Sequence, residues 1–163
     1  MRTLLSTATM LAMMSGLPVI AQELRTVKSV DVTTELTAVQ NTEAAAYWAT
    51  LDTDLEAAIA ERLVNRLGAS GVEIIIDVAE IELANAFQEL VGTDDTMLGA
   101  NVRIQEQSTN ANDQNFDLAV NLNQIVPMLP VGTDLTIVPA SNAEVYAKLV
   151  GAFADAVVAR IDN

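Results

Sequence analysis

The chain has 163 residues, and 22 Asp and Glu against 8 Lys and Arg give it a net charge of −14 at neutral pH. This negative field repels nucleic acids and anionic membrane surfaces, since both bind proteins through basic residues. We interpret it as a solvated acidic surface, and any protein or small-molecule partner is expected to be cationic. The chain has no Cys and no His. Disulfides, thiolate nucleophiles, thiolate zinc sites and Ser-His-Asp triads are therefore excluded.

The N-terminal segment has the features of an export signal. Met1-Arg2 carries one positive charge, an apolar run extends over Leu4–Leu17, and Pro18 precedes the triplet Val19-Ile20-Ala21, which fits a signal-peptidase site. The run is shorter than the roughly 20 apolar residues that span a bilayer. We therefore predict that residues 1–21 are a signal peptide and that residues 22–163 form one domain in the periplasm or the medium, with no integral membrane span.

A strand and a helix are predicted first in the exported part. Residues Val30, Val32 and Leu36 alternate with polar residues, which indicates a strand with one buried face. A helix then follows the capping residues Asn41-Thr42-Glu43, and Gly68 is expected to end it. Alternatively, Asp52 and Asp54 cap a second helix that begins near Leu55. The apolar stripe of this region recurs every four residues: Leu51, Leu55, Ile59, Leu63 and Leu67.

Three further strands are predicted downstream. The run Val72–Val78 is rich in β-branched residues, with Val72, Ile74, Ile76 and Val78 facing inward and a bulge expected near Ala79. A turn of helix or a loop is expected over residues 84–96. Two alternating runs then form an antiparallel hairpin with a long polar tip. Their inward sets are Leu98, Ala100, Val102 and Ile104 in the first run and Phe116, Leu118, Val120 and Leu122 in the second.

The C-terminal part predicts a second amphipathic helix. Three prolines disfavour regular structure over residues 124–140, although Leu135–Val138 suits a short edge strand. Ser141-Asn142 then caps the final helix, whose apolar stripe comprises Tyr146, Leu149, Val150, Phe153, Val157 and Ile161. The alternating strands leave one sheet face in water, and the two helices cover the other. The expected fold is therefore α+β, a two-layer sandwich of a mostly antiparallel sheet with two amphipathic helices on one face.

Few groups of residues point to chemistry. The hairpin tip carries alternating oxygen ligands, which resemble a calcium loop but lack its glycine and its bidentate Glu: Asn110, Asn112, Asp113, Asn115 and Asp117. Two acidic groups, Asp94-Asp95 and the series Glu73, Asp77, Glu80 and Glu82, could act as acid and base only if their surroundings separated their pKa values. Both are interpreted as solvated surface. The pair Tyr47-Trp48 is interpreted as a boundary aromatic pair that seals the helix–sheet seam, or alternatively as a half-exposed binding surface.

The chain resembles a group of uncharacterised exported proteins of alphaproteobacteria. The resemblance is carried by the run from Glu43 through Trp48 to Gly68, by Val72–Val78 and by the ending from Tyr146 to Ile161. A weaker likeness is to small α+β accessory domains of the cell envelope, which carry a lipid-bearing Cys that this chain lacks. Neither resemblance implies a site residue or a cofactor.

The sequence thus predicts a non-enzymatic binding or accessory module of the cell envelope, with no catalytic, cofactor-binding or metal-binding residue assigned. Two alternatives stay open, namely an enzyme that uses carboxylates alone and a calcium-dependent module. An enzyme would need two or more acids that converge in an apolar cleft, whereas a flat exposed apolar patch would favour a protein partner.

Overall fold

A mixed β-sheet with helices on one side makes up the part of the chain that our computed structural model describes, namely residues 24–34, 42–78, 96–106, 113–132 and 143–161. The strands are β1 (Val27–Thr34), β2 (Val72–Val78), β3 (Thr96–Glu106) and β4 (Gln114–Asn121). The helices are α1 (Thr42–Tyr47), α2 (Leu51–Arg62), α3 (Leu122–Ile125) and α4 (Ala143–Ile161), and a 3-10 turn spans Val126–Met128.

The strands lie in the order β1-β2-β3-β4. Strands β2, β3 and β4 pair antiparallel, as expected, whereas β1 pairs with β2 in parallel. A parallel pair of strands needs a long crossover connection between them. The segment between β1 and β2, which contains α2, is long enough to provide it. The predicted α+β sandwich with two helices on one face of a largely antiparallel sheet is confirmed.

The core lies between the sheet and the two long helices. Across the central strands Ile74 lies opposite Ile104, and Ile76 lies opposite Val102. All eight residues predicted to face inward from β2 and β3 are buried. In β4 only Val120 is buried, because β4 is an edge strand of the sheet. Phe116 on the same strand is half-buried, and the Arg160 guanidinium lies 5.1 Å from the centre of its ring.

The start of β1 departs from simple alternation. The register between β1 and β2 shifts between Val27 and Ser29, so one extra residue lies in β1. This shift places Val27, an odd-numbered residue, on the same buried side as Val32. The sequence analysis did not assign Val27 to the core, since an unbroken period of two would turn it towards water.

The first helical region is two helices rather than one. A turn over residues 48–50 separates α1 from α2, which begins at Leu51 and not near Leu55. Helix α2 ends at Arg62, with Leu63 as its C-cap, so the prediction that Gly68 ends the helix is wrong. Leu67 is correspondingly 46% exposed, whereas the four earlier members of the predicted stripe are buried.

The segment that precedes β1 is held by the loop before β2. The Arg66 guanidinium donates two hydrogen bonds to the Arg25 carbonyl, at 2.8 and 2.9 Å, and the Val72 N–H donates to the Thr26 carbonyl at 3.0 Å. Gly71 adopts a φ of 136°, and a Cβ there would lie 2.3 Å from the Thr26 carbonyl oxygen. Only glycine therefore fits where the loop meets β1.

The outer edge of β1 also makes hydrogen bonds. The Val27 N–H donates to the Arg66 carbonyl at 2.8 Å, and the Val27 carbonyl accepts from the Gly68 N–H at 3.0 Å. Further along the strand, the Val32 N–H donates to Glu56 Oε1 at 3.0 Å. Because α2 packs against β1, a side chain of that helix reaches the strand edge.

Helix α4 closes the core as predicted. Five of the six residues in its expected stripe are buried, and Tyr146 is half-buried. None of the helices in the described ranges has both the length and the apolar character that a bilayer span requires. Other predicted features lie outside the described residues: Leu36, the bulge near Ala79, nearly all of residues 84–96, Leu135–Val138 and the cap Ser141-Asn142.

Candidate functional site

A groove of about 400 Å³ runs between α2 and α4 on the outer side of the helical layer. Small residues of both helices line it, namely Ala57 and Ala58 on α2 and Ala147 and Gly151 on α4. The volume lies within the range of about 300–1,000 Å³ that is usual for small-molecule pockets.

Asp54 lies at one end of the groove, where two hydroxyl groups orient its carboxylate. The hydroxyl groups of Thr50 and Tyr146 both donate to Asp54 Oδ2, at 2.6 and 2.8 Å. Trp48 is fully buried, and its ring centre lies 6.2 Å from that of Tyr146. In the described residues Asp54 Oδ1 accepts no hydrogen bond, so one oxygen of an oriented carboxylate stays open to a ligand.

The other end of the groove is tied by Arg62. Its Nε donates to Asp155 Oδ1, its Nη1 to the Ala58 carbonyl at 2.8 Å and its Nη2 to the Gly151 carbonyl at 3.0 Å. These contacts link the two helices and pair the Arg62 charge with that of Asp155. Glu61, the neighbour of Arg62, is exposed and lines the groove.

The groove is therefore acidic over an apolar floor. The charges of Arg62 and Asp155 compensate each other, so the net negative charge of the groove comes from the carboxylates of Asp54 and Glu61. These two residues are seven positions apart on one helix, so they share a face and lie about 10 Å apart along the axis.

The acidic residues singled out in the sequence do not lie in this groove. Glu73 and Asp77 lie on the sheet face away from the helices, where Glu73 Oε1 accepts from Lys28 Nζ at 2.8 Å. This lysine partner was not identified in the sequence, because Lys28 and Glu73 come together only when β1 pairs with β2. The remaining candidates, Glu80, Glu82, Asp94 and Asp95, lie outside the described residues.

The same open face carries an arginine at its centre. Arg103 lies on β3 between Ile75 and Asn115 of the neighbouring strands. Its Nε is buried and has no hydrogen-bond partner in the ranges given above.

The two acids of the polar hairpin tip accept hydrogen bonds within the hairpin. Asp113 Oδ1 accepts from the Glu106 N–H at 3.0 Å, and Asp117 Oδ1 accepts from Asn101 Nδ2 at 3.0 Å. Asn110 and Asn112 lie outside the described residues. No three acidic side chains in the described part of the chain are placed to share a metal ion.

The aromatic pair in the sequence contributes to the groove in an indirect way. Trp48 is fully buried in the core, where its ring lies beside that of Tyr146. The side chain of Tyr47 lies outside the described residues. Comparisons with known protein families, with curated proteins and with solved structures found no match to the chain.

Proposed function

We propose that the protein is an exported, non-enzymatic binding module of the cell envelope and that the α2–α4 groove holds a cationic ligand. The observation that carries the proposal is the Asp54 carboxylate at the end of a groove with an apolar floor. Its Oδ2 accepts from two hydroxyl groups, and its Oδ1 accepts no hydrogen bond within the described residues. Glu61 adds a second carboxylate, and the net charge of −14 attracts cations from a distance.

Binding at this groove is tested by NMR titration with a singly charged probe, N-acetyl-lysine amide, at low ionic strength. We expect saturable shifts for the amides of residues that line the groove, including Ala58 and Gly151. Asp54→Asn should weaken binding, because it removes the charge but keeps the shape. Asp31→Asn is the matched control, since Asp31 is an exposed acid on β1, outside the groove. Shifts spread evenly over the acidic surface would contradict a groove site.

Export is a separate part of the proposal and has its own test. The charged start, the apolar run and the Val19-Ile20-Ala21 triplet support cleavage after Ala21. Protein recovered from the periplasm or the medium should begin at Gln22, and intact mass should fall below the 17.3 kDa of the whole chain by the mass of residues 1–21. A full-length product retained in the cell would count against export.

A further inference from the structure

The sheet edge at β4 is open in the described part of the chain. The opposite edge, at β1, is bonded to residues 66–68 and to Glu56, whereas within the described ranges the backbone of residues 115–120 bonds only to β3. We infer that a second copy of this chain binds here as a two-fold dimer, in which two β4 strands pair antiparallel and two α4 helices lie side by side. This surface is separate from the α2–α4 groove, and the dimer does not depend on the proposed ligand.

Strand β4 contributes an apolar row to this surface. Phe116, Leu118 and Val120 face the helical layer, since their partners on β3 are buried beneath the helices. Val120 is buried, but Phe116 and Leu118 are only half-buried, because no further strand lies beside them in the described residues. A β4 strand from a second copy would remove the remaining apolar surface of both side chains from water.

Helix α4 contributes a row of small and basic residues above the strand. Its members are four residues apart, so they share one side of the helix: Lys148, Ala152, Ala156 and Arg160. The Arg160 guanidinium lies 5.1 Å from the ring centre of Phe116, so this side of the helix faces β4 rather than α2. The distance between packed helices depends on the side chains at the contact, and the two alanines let α4 of a second copy approach closely.

The charge of this row suits a second copy of the same acidic chain. Two chains of charge −14 repel one another over most of their surfaces. The row on α4 instead carries two positive charges and no acid, and neither Lys148 nor Arg160 forms an ion pair in the described residues. Asp155, the neighbour of Ala156, is directed to α2, where it pairs with Arg62. Copies of the chain therefore meet with least repulsion on this side.

Charge also selects the register of the two β4 strands. A two-fold axis places one residue opposite its own copy, and only Asp117 or Leu118 at the axis lets nearly the whole strand pair. With Asp117 there, two carboxylates would lie directly opposite one another, which is unfavourable. With Leu118 there, Asp117 lies opposite Ala119 of the second copy, and Phe116 lies opposite its Val120. The dimer is therefore centred on Leu118.

Helix α4 crosses the same axis at Ala156. Arg160 is close to the end of α4 and Phe116 is close to the start of β4, so the helix runs back along the strand. Four residues of helix and two of strand both advance about 6–7 Å, which brings Ala156 level with Leu118. A surface about 25 Å long and about 20 Å deep, a strand with a helix above it, buries about 1,000 Å² over two copies, where specific interfaces begin.

Sedimentation equilibrium of the purified protein at moderate salt tests the dimer. We expect a concentration-dependent rise to twice the monomer mass. Ala156→Glu should weaken the dimer at least about tenfold, because two carboxylates meet at the axis. Ala147→Glu, the same substitution at an exposed position on the groove side of α4, should leave the dissociation constant unchanged. A protein that stays monomeric up to about 1 mM, the weakest affinity of interest, would overturn the inference.

Mixed variants separate a lost contact from a lost fold. Ala156→Lys alone should also weaken the dimer, since like charges again meet. An equimolar mixture of Ala156→Glu and Ala156→Lys should associate again as a heterodimer, because opposite charges then face one another. No association in the mixture, when both variants melt like the parent protein, would refute the two-fold contact at α4.

Single cysteines test the register in a chain that has none. Leu118→Cys places a thiol opposite its own copy, at the Cα separation of about 4.5–5.5 Å across an antiparallel pair, which suits a disulfide. Oxidation should therefore link this variant into a dimer on a denaturing gel. Asn115→Cys is the control, since its copies would lie about 20 Å apart along the strands and should stay unlinked. Equal linkage of both variants, or linkage of neither, would overturn the dimer centred on Leu118.

Discussion

Gly71 shows how one residue controls the entry to the sheet. Its φ of 136° is in the region that favours glycine, and the Thr26 carbonyl oxygen lies where a side chain would begin. The contact matters because Thr26 accepts the hydrogen bond from Val72 that starts the pairing of β1 with β2. A side chain at position 71 would have to push this pair of segments apart.

Gly71→Ala should therefore lower the free energy of unfolding by about 3 kcal/mol or more, because backbone strain adds to the steric overlap. Gly132→Ala is the matched control, since Gly132 also has a positive φ, 95°, but has open space around it. That variant should lose only about 1–2 kcal/mol. Urea denaturation measures both, and equal losses would show that the Thr26 contact contributes nothing.

Each of the two long helices buries a large apolar side chain near the middle of its apolar stripe. Ile59 and Phe153 lie in the apolar stripes of α2 and α4, and both are fully buried. Ile59→Ala and Phe153→Ala should each lower the free energy of unfolding by about 2–5 kcal/mol. The control is Val64→Ala, at a valine that is 68% exposed, which should change stability by less than about 0.5 kcal/mol. Unchanged melting in both core variants would refute the packing of helices on sheet.

At the level of elements, the sequence predicts best the strands in which apolar and polar residues alternate strictly. The strict alternation in β2 and β3 determines which residues face the helices, and every predicted inward residue of these strands is buried. The hairpin of β3 and β4 follows from two such runs in succession. The bulge that buries Val27 and the turn after Tyr47 are harder to predict from the sequence, because each depends on a partner strand or helix that is distant along the chain.

The groove could be found only in part from the sequence. Asp54, Ala57, Ala58 and Glu61 recur at helical spacing on one face of α2, and this pattern indicates an acidic face with small residues between. The sequence gives no sign that Gly151 and Ala147 of α4 complete the floor, or that the Tyr146 hydroxyl reaches Asp54. Those contacts depend on how two helices, more than 80 residues apart in sequence, cross over the sheet.

Gly151 of α4 accepts a hydrogen bond from Arg62 of α2 and also lines the groove. A Cβ at this position would meet Arg62 Nη2 at 3.5 Å, which is ordinary contact. Gly151→Ala should raise the free energy of unfolding by about 0.5–1 kcal/mol, because alanine loses less backbone entropy in a helix. It should also weaken amine binding, since the added methyl group fills part of the floor. Gly99→Ala on β3, where a Cβ meets nothing within 4 Å, should leave binding unchanged. A loss of stability in Gly151→Ala would contradict the room for a methyl group beside Arg62.

At the scale of the whole molecule, charge determines how divalent ions are expected to behave. The acids of the hairpin tip already accept hydrogen bonds within the sheet, so calcium should collect only diffusely around a chain of charge −14. We expect a small rise in melting temperature with calcium that disappears as sodium chloride screens the surface. Differential scanning fluorimetry measures it, with Asp113→Asn and Asp117→Asn as variants that should respond like the parent protein. A large, salt-resistant rise that either substitution abolishes would instead favour the calcium-dependent module.

The hydrogen bonds on the outer edge of β1 affect how copies of the protein meet. An exposed strand edge is a template on which a second chain can add a strand and begin aggregation. At β1 the Val27 backbone is already bonded to residues 66–68, and the Val32 N–H is bonded to Glu56. An incoming strand would have to displace a loop and a carboxylate before it could pair. These contacts at Val27 and Val32 therefore disfavour the addition of a second chain at this edge, which is where fibril growth from β1 would begin.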